Sequence, residues 1–138
     1  MDATFFLLLA IAIIGVLIFI GITVASHKNY SFNVEEYQTR WLKIENSLER
    51  DDTRSYQMTV MEADKLLDHA LREMNLPGNT MGERMKKVDD KFTNANHVWW
   101  AHKLRNQLAH EQDFNIDYNE ASRALNAFRQ ALKDLGAI

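Results

Sequence analysis

From Ala3 to Ser26 the chain runs 24 residues without a charged side chain, and nothing else in it limits the fold as strongly. Phe5-Phe6-Leu7-Leu8-Leu9 and the stretch from Ile11 to Ile22 hold almost no polar atom outside the backbone. A helix that is apolar all round has no face to offer water and must be covered on every side. At about 1.5 Å per residue this run reaches roughly 36 Å, enough to cross a hydrocarbon core of about 30 Å. A cleavable leader wants a basic start and an apolar stretch of roughly 7–15 residues. Here the only early charge is Asp2, and the apolar stretch is longer. The expectation is a single-pass anchor seated in a lipid bilayer through Ala3–Ser26.

Orientation follows from the basic residues. None precedes the span, whereas His27 and Lys28 follow it at once, with Arg40 and Lys43 a little later. Positive residues are retained on the cytoplasmic side, so the N-terminus is expected outside and the C-terminal domain in the cytoplasm, at the cell membrane. The absence of cysteine fits a reducing compartment. Gly21 and Ala25 make one small-xxx-small pair, a spacing too common in membrane helices to define a dimer. The chain therefore divides into an anchor with short flanks over 1–27, a juxtamembrane linker over 28–32, and a helical bundle over 33–138. A linker that short holds the bundle close to the bilayer, with Tyr30 and Phe32 suited to the headgroup region.

Beyond the linker the apolar residues recur at steps of three and four. Val34, Tyr37, Trp41, Ile44 and Leu48 mark a first helix with Asn33 as N-cap. Val60, Ala63, Leu67, Ala70 and Met74 mark a second, stopped by Pro77-Gly78. Thr80 and Glu83 have the spacing of a capping box for a shorter segment to about Phe92. Asn94 opens a fourth helix, which carries Trp99 and Trp100. Asp117 and Glu120 open the last, whose stripe is Ala121, Leu125, Phe128, Leu132 and Leu135, and Gly136 is placed to end it. No run reads as strand. The predicted class is all-α: one transmembrane helix, then an antiparallel bundle of four to five helices crossing at about 20°. The Trp, Phe and Met residues of these stripes are read as core filling.

Charge sets limits on function. The whole chain holds 16 Lys plus Arg against 19 Asp plus Glu, which argues against a strongly basic nucleic-acid surface. The segment from Met81 to His110 is locally more cationic and holds His97, His102 and His110. These histidines have no HxxxH or HExxH spacing, so neither a metal site nor any other cofactor is expected. There is no glycine-rich phosphate loop and no local nucleophile signature. Asp64 and Asp68, one helical turn apart, could be read as paired acids. With Lys65 and Arg72 beside them, they read better as a solvated or ion-paired face.

The stretch Arg105-Asn106-Gln107-Leu108-Ala109-His110 is the chemically suggestive one. Arginine is a permanent planar cation suited to phosphate, and histidine trades protons near neutral pH. At about 100° per residue, His102, Asn106 and Ala109 fill the arc between Arg105 and His110. One helix thus presents a polar, cationic sector that faces either water or a partner, while Leu104 and Leu108 turn toward the core. The six residues match the Arg-x4-His motif of HEPN domains, with Asn106 at the common polar second position and Glu111 next. The chain resembles that family over about Val34 to Leu135, as a small helical bundle with the motif on its penultimate long helix.

The resemblance implies a homodimer formed through the Arg105–His110 helix. In catalytic members it implies a metal-independent endoribonuclease. Arg105 would stabilise phosphoryl charge, Asn106 would orient an oxygen, His110 would move the proton, and His102 would be an accessory group. The products would be a 2′,3′-cyclic phosphate and a 5′-hydroxyl. Against this stands a structural role, in which Arg105 pairs with Asp64 or Asp68, Asn106 bonds across the dimer and His110 serves the helix C-terminus. The chain is accordingly read as a membrane-anchored, non-catalytic dimerisation or interaction module. The alternative is an endoribonuclease acting through Arg105, Asn106 and His110, with RNA or a nucleotide as ligand.

Overall fold

Helix starts in this chain are written locally, and the computed structural model, which describes residues 3–26 and 31–138, shows how. In each helix after the first, a side chain just before the first turn accepts an amide that has no carbonyl partner of its own. Asn33 caps α2 (Val34–Asn46) through Glu36 N, and Asp52 caps α3 (Thr53–Glu73) through Arg54 N. Thr80 caps α4 (Met81–Lys86), Asn94 caps α5 (Ala95–His110) and Asp117 caps α6 (Tyr118–Asp134). A 3-10 turn, Asp89–Lys91, lies between α4 and α5. The described chain is about three-quarters helix and has no strand.

The described residues form two units divided after Ser31. The first holds α1 (Ala3–Ser26), whose described side chains are all exposed. It is long and apolar enough to cross a membrane, a test of length and composition that a signal sequence also passes. His27, Lys28 and Tyr30, which carry the orientation and headgroup readings, lie outside the described residues.

The second unit is the helical bundle. Its centre is α3, which packs against α2, α4, α5 and α6. Val60, Ala63, Leu66, Leu67, Ala70 and Leu71 are sealed in its buried face, and Ala121, Ala124, Phe128 and Leu132 of α6 face the same core. Alanines at these positions let the helices approach closely around Leu67 and Phe128, each worth about 2–3 kcal/mol when fully buried. Tyr37 pins α2 to α3: its hydroxyl donates to Glu73 Oε2 at 2.6 Å and accepts from His69 Nδ1 at 2.8 Å. Burial, with Glu73 beside it, pushes the phenol well above its ordinary pKa, so it stays a donor.

Three local readings change. Leu48 falls beyond the end of α2, and the segment expected to run to Phe92 breaks after Lys86 into the 3-10 turn. Glu83 does not close a box on Thr80; its carboxylate takes Asn79 N instead, at 2.6 Å. The Asp117–Glu120 box forms in full, and α6 ends at Gly136 (φ 77°) in a Schellman turn, Ala137 N to Leu132 O at 2.9 Å.

Candidate functional site

The cationic sector of α5 does not simply face outward. At its centre lies Asp64 of α3, which is 3% exposed and bonded to α5 by both oxygens. Its Oδ1 is 2.7 Å from His102 Nδ1, and its Oδ2 is 3.2 Å from Arg105 Nε. The second contact is an ion pair without an aligned hydrogen bond. Arg105 Nη1 donates to Asn106 Oδ1 at 3.1 Å, and Asn106 Nδ2 reaches back to His102 Nε2 at 3.4 Å. Four side chains thus make a closed ring of contacts, Asp64–His102–Asn106–Arg105. The sector expected to meet water or a partner instead turns its middle onto a carboxylate of its own chain. The reason is register: α3 sets Asp64 opposite His102 and Arg105, and a carboxylate 5% exposed at its side chain needs a cation.

His110, the other motif residue, is exposed at the end of α5, and no hydrogen bond or ion pair joins its side chain to any described residue. The helix instead closes through Glu111 N to Gln107 O, so the expected bond from His110 to the last carbonyls is absent there. Arg105, Asn106, His102 and His110 nevertheless line one groove of about 880 Å³, walled by α3, α4 and α5. Among the described residues no cluster of three His, Asp or Glu could hold a metal ion.

Asp68, one turn along α3, is clamped from the opposite side. Arg84 Nε and Nη2 donate to its Oδ1 at 3.0 and 2.6 Å, and Arg72 Nε donates to Oδ2 at 2.8 Å. Arg84 Nη1 also donates to Gly78 O at 2.8 Å, which locks the turn before α4. Gly78 (φ 153°) leaves no room for a Cβ, which would stand 2.9 Å from that of Glu83. The buried role of Arg84 has no local signature, since Gly82-Glu83-Arg84 reads only as a helix start.

Beside the groove, Trp99 and Trp100 are only partly buried. Arg123 lies 4.2 Å from the Trp100 ring centre, and His97 stacks on the same indole at 5.7 Å. Burial, with the Arg123 charge adding to it, lowers the His97 pKa below its ordinary value. Along this face Asn96, Trp99, Trp100, Lys103 and Asn106 line a second, shallower hollow of about 550 Å³.

Compared with protein-family models, with curated proteins and with solved structures, the chain finds no match in any of the three.

Proposed function

We propose that the bundle is a HEPN-like interaction module, held at a membrane by α1 with its C-terminal domain in the cytoplasm, and that it pairs with a second copy through the outward face of α5. The observation that carries this reading is the division of the α5 polar sector. Arg105 and His102 are drawn inward to Asp64, while Lys103, Ala109 and His110 stay exposed beside the half-buried Trp99, Trp100 and Gln107. An arginine already paired with a buried carboxylate has part of its charge spent, as a structural arginine should. A helix face that joins two indoles to polar residues suits a protein interface, where aromatic residues are enriched.

The chain has no cysteine, so single introduced cysteines report proximity cleanly. In the full chain in nanodiscs, Gln107→Cys should form a disulfide-linked dimer under mild oxidation. Met58→Cys, at an exposed position on α3, should not. A monomeric chain, or cross-linking at Met58 alone, sinks the proposal. Adding a protease to right-side-out vesicles should leave the bundle intact if it faces the cytoplasm.

A second reading is favoured by one specific observation: the motif residues Arg105, Asn106 and His110 line the same groove as an Asp64-bound histidine. On that reading the module is a metal-independent endoribonuclease. Its test is cleavage of single-stranded RNA in EDTA by the full chain, leaving cyclic phosphate ends, beside His110→Ala.

A further inference from the structure

The contact between Asp64 and His102 sets the proton on a particular nitrogen. A carboxylate accepts and cannot donate, so His102 Nδ1, 2.7 Å from Asp64 Oδ1, carries the hydrogen. Arg105 Nη1 donates to Asn106 Oδ1, so the Asn106 amide turns its donor Nδ2 to His102, and Nε2, 3.4 Å away, is the lone-pair end. Trp99 stands edge-on to the ring, with centres 6.3 Å apart, so the imidazole is held by a carboxylate and by an indole. The residue lines the groove that Arg105 and Asn106 also line. An imidazole with Nδ1–H on a buried carboxylate, and with Nε2 met only by the long contact from Asn106, is the arrangement a general base requires.

We infer that His102 is the general base of this groove and that Asp64 is the positioning residue that fixes its tautomer and plane. This inference rests on the nuclease reading above. In the step, His102 Nε2 takes the proton of a ribose 2′-hydroxyl, O2′ bonds to phosphorus, and the bond from phosphorus to O5′ breaks. The departing O5′ takes a proton from a second imidazolium. The products are a 2′,3′-cyclic phosphate and a 5′-hydroxyl, and no water is consumed. His102 ends protonated and the acid ends neutral, and exchange with solvent resets both.

Spacing on α5 assigns the other parts. Arg105 is three residues from His102, about 4.5 Å along the helix axis, close enough to hold the same phosphate. His110 is eight residues away, about 12 Å, too far to protonate that leaving oxygen. The acid is the His110 of a second copy, which makes the site complete only in the dimer.

The experiment measures kcat and KM for single-stranded RNA in EDTA, with the full chain in nanodiscs, for wild type, His102→Gln, Asp64→Asn and His110→Gln. His102→Gln and Asp64→Asn should each lower kcat by about 100-fold or more and leave KM unchanged, with the helical circular dichroism signal and the dimer retained. Imidazole nitrogen NMR shifts should show His102 as the Nδ1–H tautomer in wild type and a mixture in Asp64→Asn. Mixed and exchanged, His102→Gln and His110→Gln should recover about one quarter of the wild-type rate, because half the dimers are mixed and each holds one intact pair. Should Asp64→Asn unfold, His102→Gln, which leaves Asp64 with Arg105, decides. An inert wild type removes the nuclease reading and this inference with it. A wild type that cleaves, beside an inactive His110→Gln and a still active His102→Gln, keeps the nuclease and overturns the inference. Failure of the mixture to recover overturns the assignment of the acid to a second copy.

Discussion

Asp64 and Asp68 stand one turn apart on α3, each held by two basic side chains, yet the two clusters differ in how much of those side chains is already bonded. At Asp68, Arg84 is 6% exposed, and its donors are spent on the carboxylate and on Gly78 O. At Asp64, the two basic side chains keep capacity in reserve. His102 turns its second nitrogen toward Asn106 at a long 3.4 Å, and Arg105 stays about a third exposed along the groove. The same pairing of carboxylate with basic side chains serves as a clamp where each nitrogen of a buried guanidinium is bonded. Where donors and lone pairs remain open to a cavity, it is equipped to receive a ligand.

The largest difference between the two carboxylates should appear when the support of each is removed. Arg84→Ala strands Asp68 in a site where only the exposed Arg72 can answer it, and it releases the turn at Gly78. The expected loss is about 3–5 kcal/mol, the usual cost of breaking a buried pair. Chemical denaturation of the full chain in detergent measures it, and a loss under about 1 kcal/mol would show that Arg84 is not a clamp. Asp64→Ala should cost less, about 2 kcal/mol, because Arg105, already about a third exposed, can swing to water. Equal losses at the two sites would erase the distinction drawn between them.

How far the sequence foretells this contrast depends on how local each signal is. The caps Asn33, Asp52, Thr80, Asn94 and Asp117 sit two or three residues from the amides they accept, so such helix starts are legible without packing; Asp52, which precedes no clear apolar stripe, is the exception. Asp64 and Asp68 are both reasonable partners for Arg105 by periodicity, and only the register of α5 on α3 selects Asp64. Arg84 was invisible as a buried group. Its burial depends on the turn at Gly78, which folds α4 back along α3, and no residue near Arg84 reports that. His102 reads as accessory from sequence because the motif spans Arg105 to His110, whereas its partner lies 38 residues earlier.

A narrower comparison sets His102 against His97, five residues earlier on α5. His102 meets a carboxylate; His97 meets the Arg123 guanidinium, and its Nε2 is shut from solvent without a hydrogen-bond partner. Burial first, and Arg123 second, lower the His97 pKa. Between that lowered value and the ordinary value of about 6.5, the unfolded chain binds a proton that the folded chain refuses. Stability must therefore fall as pH drops through this window, and the loss is complete below the folded pKa. Thermal melts at pH 7.5 and 5.5 should show a Tm decrease in wild type that shrinks in His97→Gln. An unchanged decrease would assign the effect to other groups.

The smallest expected effect is the sharpest control, because it uses the same carboxylate as the largest. Arg72 donates to Asp68 Oδ2 at 2.8 Å, as short as the contacts Arg84 makes, but its side chain is 65% exposed. A bond of that length ending in open water competes with hydration and costs rotamer freedom, so Arg72→Ala should lose no more than about 0.5 kcal/mol. Distance alone would rank the two arginines as equals; burial separates them by several kcal/mol. Denaturation of the two variants side by side tests this directly. A cost at Arg72 approaching that at Arg84 would mean that Asp68 is held by the pair jointly, and the closed clamp would then extend to the rim of the groove.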